Sequence, residues 1–212
     1  MIVDRRRLDA PSLVLAPRLL GAVLVSGSGD LEVAVRLTEV EAYEGMDDPA
    51  SHAFRGRTAR TTIMFGPPGH LYCYFTYGMH WCANVVCDVE GRASAVLLRA
   101  GAVVRGLDLA RERRAASRRD IDLARGPARL AAALGLGAAQ NGADLCAADS
   151  SVRLESMPLR RRGGIVAGPR IGIAVAQEQP WRFWLTDDPT VSAFRTGGRK
   201  RTGPARQTDA RD

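Results

Sequence analysis

The 212-residue sequence lacks an uninterrupted apolar run long enough to cross a membrane. Its longest apolar stretch, residues 13–25, is broken by Pro17, Arg18 and Gly21. Asp9 and Pro11 follow closely after the three arginines at residues 5–7, so we expect neither a transmembrane helix nor a signal peptide. The four cysteines form no C-x-x-C pair, which favours a reduced, cytoplasmic protein without a structural zinc site.

Lysine is almost absent, because Lys200 is the only lysine among the 30 basic residues. The formal net charge is nevertheless +7, and the basic excess is greatest in residues 195–212. A basic domain with a more basic tail fits a polyanionic partner such as nucleic acid, although an arginine-rich soluble surface accounts for the charge equally well. Apolar periodicity ends near residue 195, so we expect one domain over residues 1–194 and a disordered tail over 195–212.

Histidine is also scarce, and His52, His70 and His80 do not form an H-x-x-x-H pattern. Their spacing matches no common set of metal ligands, so we expect neither a metal ion nor another cofactor.

The apolar pattern predicts an α+β domain with a curved, mostly antiparallel sheet and flanking helices. Helices are predicted at residues 12–20, 105–117 and 126–135. The longer predicted strands are 31–43, 71–77, 81–88 and 93–100, and the shorter ones are 152–154, 171–175 and 182–185. Residues 45–69 are rich in Gly, Pro, Asp and Arg, and a loop of that length in a compact domain is usually functional.

The strand at 31–43 presents a face that begins apolar and ends acidic and aromatic, through Val33, Val35, Leu37, Glu39, Glu41 and Tyr43. A carboxylate beside a phenol in a partly apolar wall can act as a base. Without further context, however, the pattern at Glu41 favours a rim residue paired with a nearby arginine. Tyr72, Tyr74 and Tyr77 could stack on a base or enter a duplex, or they could form an ordinary aromatic core.

Several ordered motifs together resemble the alkyladenine (3-methyladenine) DNA glycosylase family over roughly residues 12–194. These motifs are T-E-V-E-A-Y at 38–43, D-P-A-S-H-A at 48–53, R-T-A-R at 57–60, M-F-G-P-P-G-H-L-Y-C-Y at 64–74, Y-G-M-H at 77–80, V-L-L-R-A at 96–100, G-P at 126–127, G-P-R-I-G at 168–172 and W-R-F at 181–183. The chain departs from the family pattern at residues 80–84 and 86–93. The resemblance implies a single-domain fold similar to the C-terminal domain of a formyltransferase.

The resemblance also implies roles for individual residues. Glu41 matches the general base that activates water, and Arg99 matches the arginine that helps to position that water. The pocket for a flipped purine is matched by Tyr43, His52 and Tyr74, and Asn84 matches the residue that screens against the exocyclic amine of guanine. Tyr77 matches the side chain that fills the gap left in the duplex. Separately, the candidates for phosphate contacts are Arg55, Arg57, Arg60 and Arg170.

The implied function is hydrolysis of the N-glycosidic bond of alkylated or deaminated purines in duplex DNA, which leaves an abasic site. Glycosylases that also cut the strand use an amine nucleophile, and the single lysine lies in the predicted tail, so we expect a monofunctional enzyme. We expect a monomer that is cytoplasmic and associated with the nucleoid through DNA, without membrane contact. Two alternatives remain open at this point, a non-catalytic nucleic-acid-binding module of the same fold and a metal-dependent hydrolase.

Overall fold

A computed structural model describes residues 1–155 and 164–194 of the chain, so the predicted tail at 195–212 lies outside the described residues. The helices are α1 (Ser12–Leu19), α2 (Leu107–Arg113) and α3 (Pro127–Leu134). The strands are β1 (Val23–Ser26), β2 (Val33–Tyr43), β3 (Leu71–Thr76), β4 (His80–Val86), β5 (Ala95–Arg105), β6 (Val152–Glu155), β7 (Ile165–Gly168) and β8 (Arg182–Leu185). This arrangement confirms the predicted α+β class.

The eight strands form one antiparallel sheet around the long central pair β2 and β5. The strand order is β3-β4-β5-β2-β1-β6, while β8 pairs with both β2 and β7. Residues 33–36 of β2 pair with β1, and residues 39–41 of β2 pair with β8 on the same edge. The sheet therefore branches between residues 36 and 39 of β2.

Two opposed β-bulges lie at this branch point. Between Leu37 and Glu39, β2 has one more residue than the segment of β5 that pairs with it. Between Glu39 and Val40, β5 has one more residue than β2, and this extra residue is Arg99. A bulge changes which face of the sheet the following residues occupy. Leu37 and Val40 therefore both belong to the main core, and Glu39 and Glu41 lie on the opposite face. The predicted strict alternation from Val33 to Tyr43 is wrong for this reason.

The main core packs α1 and α3 against the sheet. Helix α3 begins with Pro127 in its first turn and ends at Gly135, which has φ of +68°; these are the residues that most favour those two positions. Its buried side chains include Leu130 and Leu134, and full burial of each leucine contributes about 1.5–3 kcal/mol. The helix packs on β4 and β5 and so supports the strands that carry Asn84 and Arg99.

Other predictions fit the structure less well. Residues 171–175 form no strand but an irregular segment, while β1 and β7 were not predicted. Helix α2 starts only at Leu107 because β5 continues to Arg105. The 45–69 loop contains two 3-10 turns, Gly45–Asp47 and Thr62–Phe65. Within residues 1–155 and 164–194, no helix combines the length and the apolar character that a bilayer-spanning segment requires.

Candidate active site

A cavity of about 490 Å³ opens on the face of the sheet opposite the main core, within the usual size range of ligand pockets. Its walls come from the 49–52 loop, the hairpin of β3 and β4, strand β5 and the irregular 171–175 segment. Six predicted site residues line it, Tyr43, His52, Tyr74, Tyr77, Asn84 and Arg99. The structure therefore brings together residues that are as much as 56 positions apart in the sequence.

Glu41 is fully buried beneath this cavity, with 0% of its surface exposed. Its Oε1 accepts a hydrogen bond from the backbone N–H of Ile171 at 2.7 Å and lies 3.2 Å from Nη1 of Arg99. Its Oε2 accepts the hydroxyl of Tyr43 at 2.9 Å. All three partners line the cavity, so Glu41 is a floor residue and not a solvated rim carboxylate.

Arg99 connects Glu41 to a second buried carboxylate, Glu39. The Nε of Arg99 donates to Oε1 of Glu39 at 3.0 Å, while Nη1 faces Glu41. Glu39 is also 0% exposed and accepts from Nη1 of Arg182 at 3.1 Å. Two carboxylates and two guanidinium groups thus alternate in a buried network, which compensates their desolvation.

Burial raises the pKa of Glu41 above its ordinary value of 4.5, and the neighbouring Glu39 charge acts in the same direction. Arg99, the Ile171 N–H and the Tyr43 hydroxyl oppose this rise. Burial and the Glu41 charge also raise the pKa of Tyr43 well above its usual range, so Tyr43 remains a hydrogen-bond donor. A carboxylate with a raised pKa is a stronger base, which is the property that general-base catalysis needs.

Three rings form the aromatic wall of the cavity. His52 meets Tyr74 edge-on with ring centroids 4.6 Å apart, and Tyr72 lies 5.7 Å from Tyr74. The Nδ1 of His52 lies 3.1 Å from the Tyr72 hydroxyl. Burial, together with the charge of Arg60, lowers the pKa of His52 to about 4. The imidazole is therefore neutral at physiological pH and can stack on or hydrogen-bond to a base.

Asn84 lies on β4 directly opposite Tyr72 on β3. Its side chain is 5% exposed, and its Nδ2 donates to the backbone oxygen of Tyr72 at 3.1 Å. This bond fixes the amide in the cavity wall, where a rigid polar group can discriminate between the edges of bases.

Arg170 does not occupy the position expected of a phosphate contact. It is 3% exposed, and its Nη2 donates to Oδ1 of Asp48 at 2.8 Å. Its guanidinium lies over the rings of Tyr43, at 4.6 Å, and Trp181, at 4.9 Å. The phosphate-contact prediction for Arg170 is wrong, because a guanidinium already paired and stacked in the interior cannot reach a DNA backbone. Arg170 instead supports Tyr43 from behind.

Tyr77 lies at the tip of the β3–β4 hairpin and is 81% exposed. It has φ of +53° and Gly78 has φ of +67°, the pattern of a type I′ turn. A left-handed backbone is costly for tyrosine. The turn nevertheless holds Tyr77 in this conformation and projects its ring into solvent at the cavity rim. Beside it, the 50–62 loop carries three exposed arginines, Arg55, Arg57 and Arg60, whose phosphate contacts stay a prediction.

Sequence reasoning missed four contributors to the site, the acids Glu39 and Asp48, the cation Arg182 and the backbone N–H of Ile171. Glu39 had a signal, since it stands two residues before Glu41 in the same motif. Asp48 and Arg170 each lie in a quoted motif, but no signal indicates that they pair, because 122 residues separate them. The role of Ile171 depends on its irregular backbone, which the strand prediction did not allow.

Comparison with known proteins agrees with this geometry. The family described as methylpurine-DNA glycosylase matches residues 6–189. A protein of Streptomyces avermitilis named "Putative 3-methyladenine DNA glycosylase" is 52% identical, with 91% of this chain and 92% of that protein covered. Proteins of the same name from Leifsonia xyli and Frankia casuarinae are 54% identical, covering 88% of this chain and 89% of the relative, and 50% identical, covering 91% and 93%. The chain therefore belongs to the methylpurine-DNA glycosylase family of DNA-repair enzymes.

Proposed function

We propose that this chain excises alkylated or deaminated purines from duplex DNA by hydrolysis, with Glu41 as the general base and without cutting the strand. The observation that carries the proposal is the placement of a fully buried carboxylate against an aromatic cavity. Family membership supports the reaction class, and the geometry of the floor supports the assignment of roles.

The cavity is recessed into the protein surface, and a base that remains stacked in the duplex cannot reach into it. The nucleotide must therefore leave the duplex to enter the cavity. Such flipping costs a few kcal/mol, least for damaged or mispaired bases, and this difference supplies part of the selectivity. Tyr77 is exposed at the hairpin tip and would occupy the vacated position in the stack. The rings of Tyr43, His52 and Tyr74 would hold the flipped purine.

Glu41 would take a proton from water as the water oxygen attacks C1′ of the flipped nucleotide. The bond from C1′ to the purine nitrogen breaks, and its electron pair leaves with the base. In the described residues, Oε2 of Glu41 accepts only the Tyr43 hydroxyl, and a carboxylate oxygen can accept two hydrogen bonds. One acceptor position on Oε2 therefore remains for the attacking water.

An N-alkylated purine already carries positive charge and leaves as a neutral base, so for such a substrate the second carboxylate of ordinary glycosidases is not needed. A deaminated purine carries no such charge, and its leaving nitrogen takes up a proton from water. No lysine lies in residues 1–194, so an amine nucleophile for strand cleavage is limited to Lys200 and the chain's terminal amine. We therefore expect an intact abasic strand as the product.

The test is single-turnover release of base from methylated duplex DNA by the wild type, Glu41→Gln and the exposed control Glu112→Gln. We expect Glu41→Gln to lose about 10²–10⁴-fold in rate while duplex binding is retained, and Glu112→Gln to match the wild type. The product strand should break only after alkali treatment, and borohydride should trap no protein–DNA adduct.

Near-normal release by Glu41→Gln would remove Glu41 from the mechanism. Binding without any release by the wild type would favour a non-catalytic module instead, and loss of activity in excess chelator would favour a metal-dependent hydrolase.

A further inference from the structure

We propose that Glu39 is a positioning residue that holds Arg99 beneath the cavity and thereby keeps Glu41 able to accept a proton. The inference rests on the proposed role of Glu41 as the base. It concerns a carboxylate that is as deeply buried as Glu41 but contacts Arg99 from the other side, at Nε instead of Nη1.

Glu39 has an unusually complete set of donors for one side chain. Its Oε1 accepts from Arg99, Arg182 and the Ser192 hydroxyl, at 3.0, 3.1 and 2.9 Å. Its Oε2 accepts the backbone N–H of Ser192 at 2.7 Å. These donors come from three separate segments of the chain, so the carboxylate position is fixed from several directions and can in turn fix Arg99.

Arg99 needs such an anchor because it is the extra residue of the bulge in β5. The pairing of β5 with β2 passes from Ala100 to Leu98, and Arg99 has no register partner. The extra residue of a bulge is not held by the regular ladder. Side-chain contacts therefore set its direction, and the strongest of them are the charge-assisted contacts to Glu39 and Glu41.

Glu39 also divides the positive charge of Arg99 between two carboxylates. An arginine paired with Glu41 alone would stabilise the ionised carboxylate more strongly and make it a weaker base. The charged and titratable groups around Glu41 are Glu39 and Tyr43 on β2, Tyr74 on β3, Cys82 on β4, Arg99 on β5, Arg170 after β7 and Arg182 on β8.

The test compares the pH dependence of single-turnover excision in Glu39→Gln and Arg182→Met, because the two changes should act in opposite directions. In Glu39→Gln, Arg99 keeps Glu41 as its one carboxylate partner and stabilises the ionised form of Glu41 more strongly. The acid limb of the pH profile should therefore move to lower pH. The plateau rate should fall by up to about tenfold for each unit by which the pKa of Glu41 falls. Arg182→Met leaves Glu39 more dependent on Arg99, so the acid limb should move to higher pH.

Asp144→Asn is the control, since Asp144 also pairs with an arginine, Arg5, but pairs with neither Arg99 nor Arg182, the arginines that contact Glu39. We expect it to lower thermal stability without moving the acid limb. Spontaneous depurination at low pH is subtracted with an enzyme-free sample. If Glu39→Gln does not fold, Ser192→Ala is compared with Arg182→Met by a different criterion: loss of the Ser192 hydroxyl should give a smaller shift in the same direction as Arg182→Met, and unchanged acid limbs in both variants would overturn the proposal.

Unchanged acid limbs in the folded Glu39 and Arg182 variants, or shifts in the same direction, would overturn the positioning role. This failure is distinguishable from failure of the proposed function. If Glu41→Gln is inactive while Glu39→Gln keeps the wild-type rate and pH profile, Glu41 remains the base and only the role of Glu39 is lost.

Discussion

The floor and the rim of the cavity differ sharply in exposure. At the floor, Glu39 and Glu41 are 0% exposed and Arg99 is 6% exposed, whereas Tyr77 at the rim is 81% exposed. Charges interact far more strongly in the interior than at the surface, where water and salt screen them. The comparison indicates that the charges at the floor interact strongly with one another, whereas each contact at the rim is separately weak.

Arginines show the same contrast. Arg170 is enclosed by Asp48, Tyr43 and Trp181, while the exposed Arg57 lies 5.0 Å from the Phe65 ring. The same residue type therefore stabilises the fold in the interior, whereas at the rim it stays accessible for the predicted phosphate contacts.

The largest effect is expected from a substitution that breaks the interior pair of Arg170 and Asp48. Arg170→Met should lower the free energy of unfolding by about 3–5 kcal/mol, because it leaves the buried Asp48 carboxylate without its partner. Urea denaturation measures this difference. Arg57→Met is the rim control and should change it by less than about 0.5 kcal/mol. Equal losses in the two variants would show that burial does not separate these arginines.

A change at the hairpin tip should separate stability from activity. Tyr77→Gly relieves the left-handed backbone of tyrosine and should raise unfolding free energy by up to about 1 kcal/mol. The same change removes the ring that we propose enters the base stack, so excision should fall on the order of tenfold. Thermal denaturation and single-turnover excision provide the two measurements. Tyr77→Phe should retain activity. Full activity in Tyr77→Gly would exclude the proposed insertion of Tyr77 into the gap left in the duplex.

The smallest effect concerns one rim arginine. Arg57→Ala should weaken duplex binding a few-fold and reduce the slope of log affinity against log salt by about 1, as expected for loss of one phosphate contact. Binding at several salt concentrations measures the slope. Arg6, already paired with Asp4, gives the control variant Arg6→Ala, which should keep the wild-type slope. An unchanged slope in Arg57→Ala would contradict the phosphate contact.

The sequence was informative where periodicity and motif coincided. The hairpin of β3 and β4 and the grouping of Tyr43, His52, Tyr74, Asn84 and Arg99 follow from strand patterns and family resemblance. Arg170 was misplaced because burial of an arginine depends on a distant partner, Asp48, that local pattern does not reveal. The likeness to a formyltransferase domain stays a prediction.

The opposed bulges make the site depend on the length of β2 as well as on its residue types. Deleting Val40 would shift the end of the strand by one position and exchange its two faces. Glu41 and Tyr43 would then meet the apolar core, and Ala42 would lie beneath the cavity. A substitution at these positions can be accommodated one side chain at a time, but this single-residue deletion would remove Glu41 and Tyr43 from the site at once.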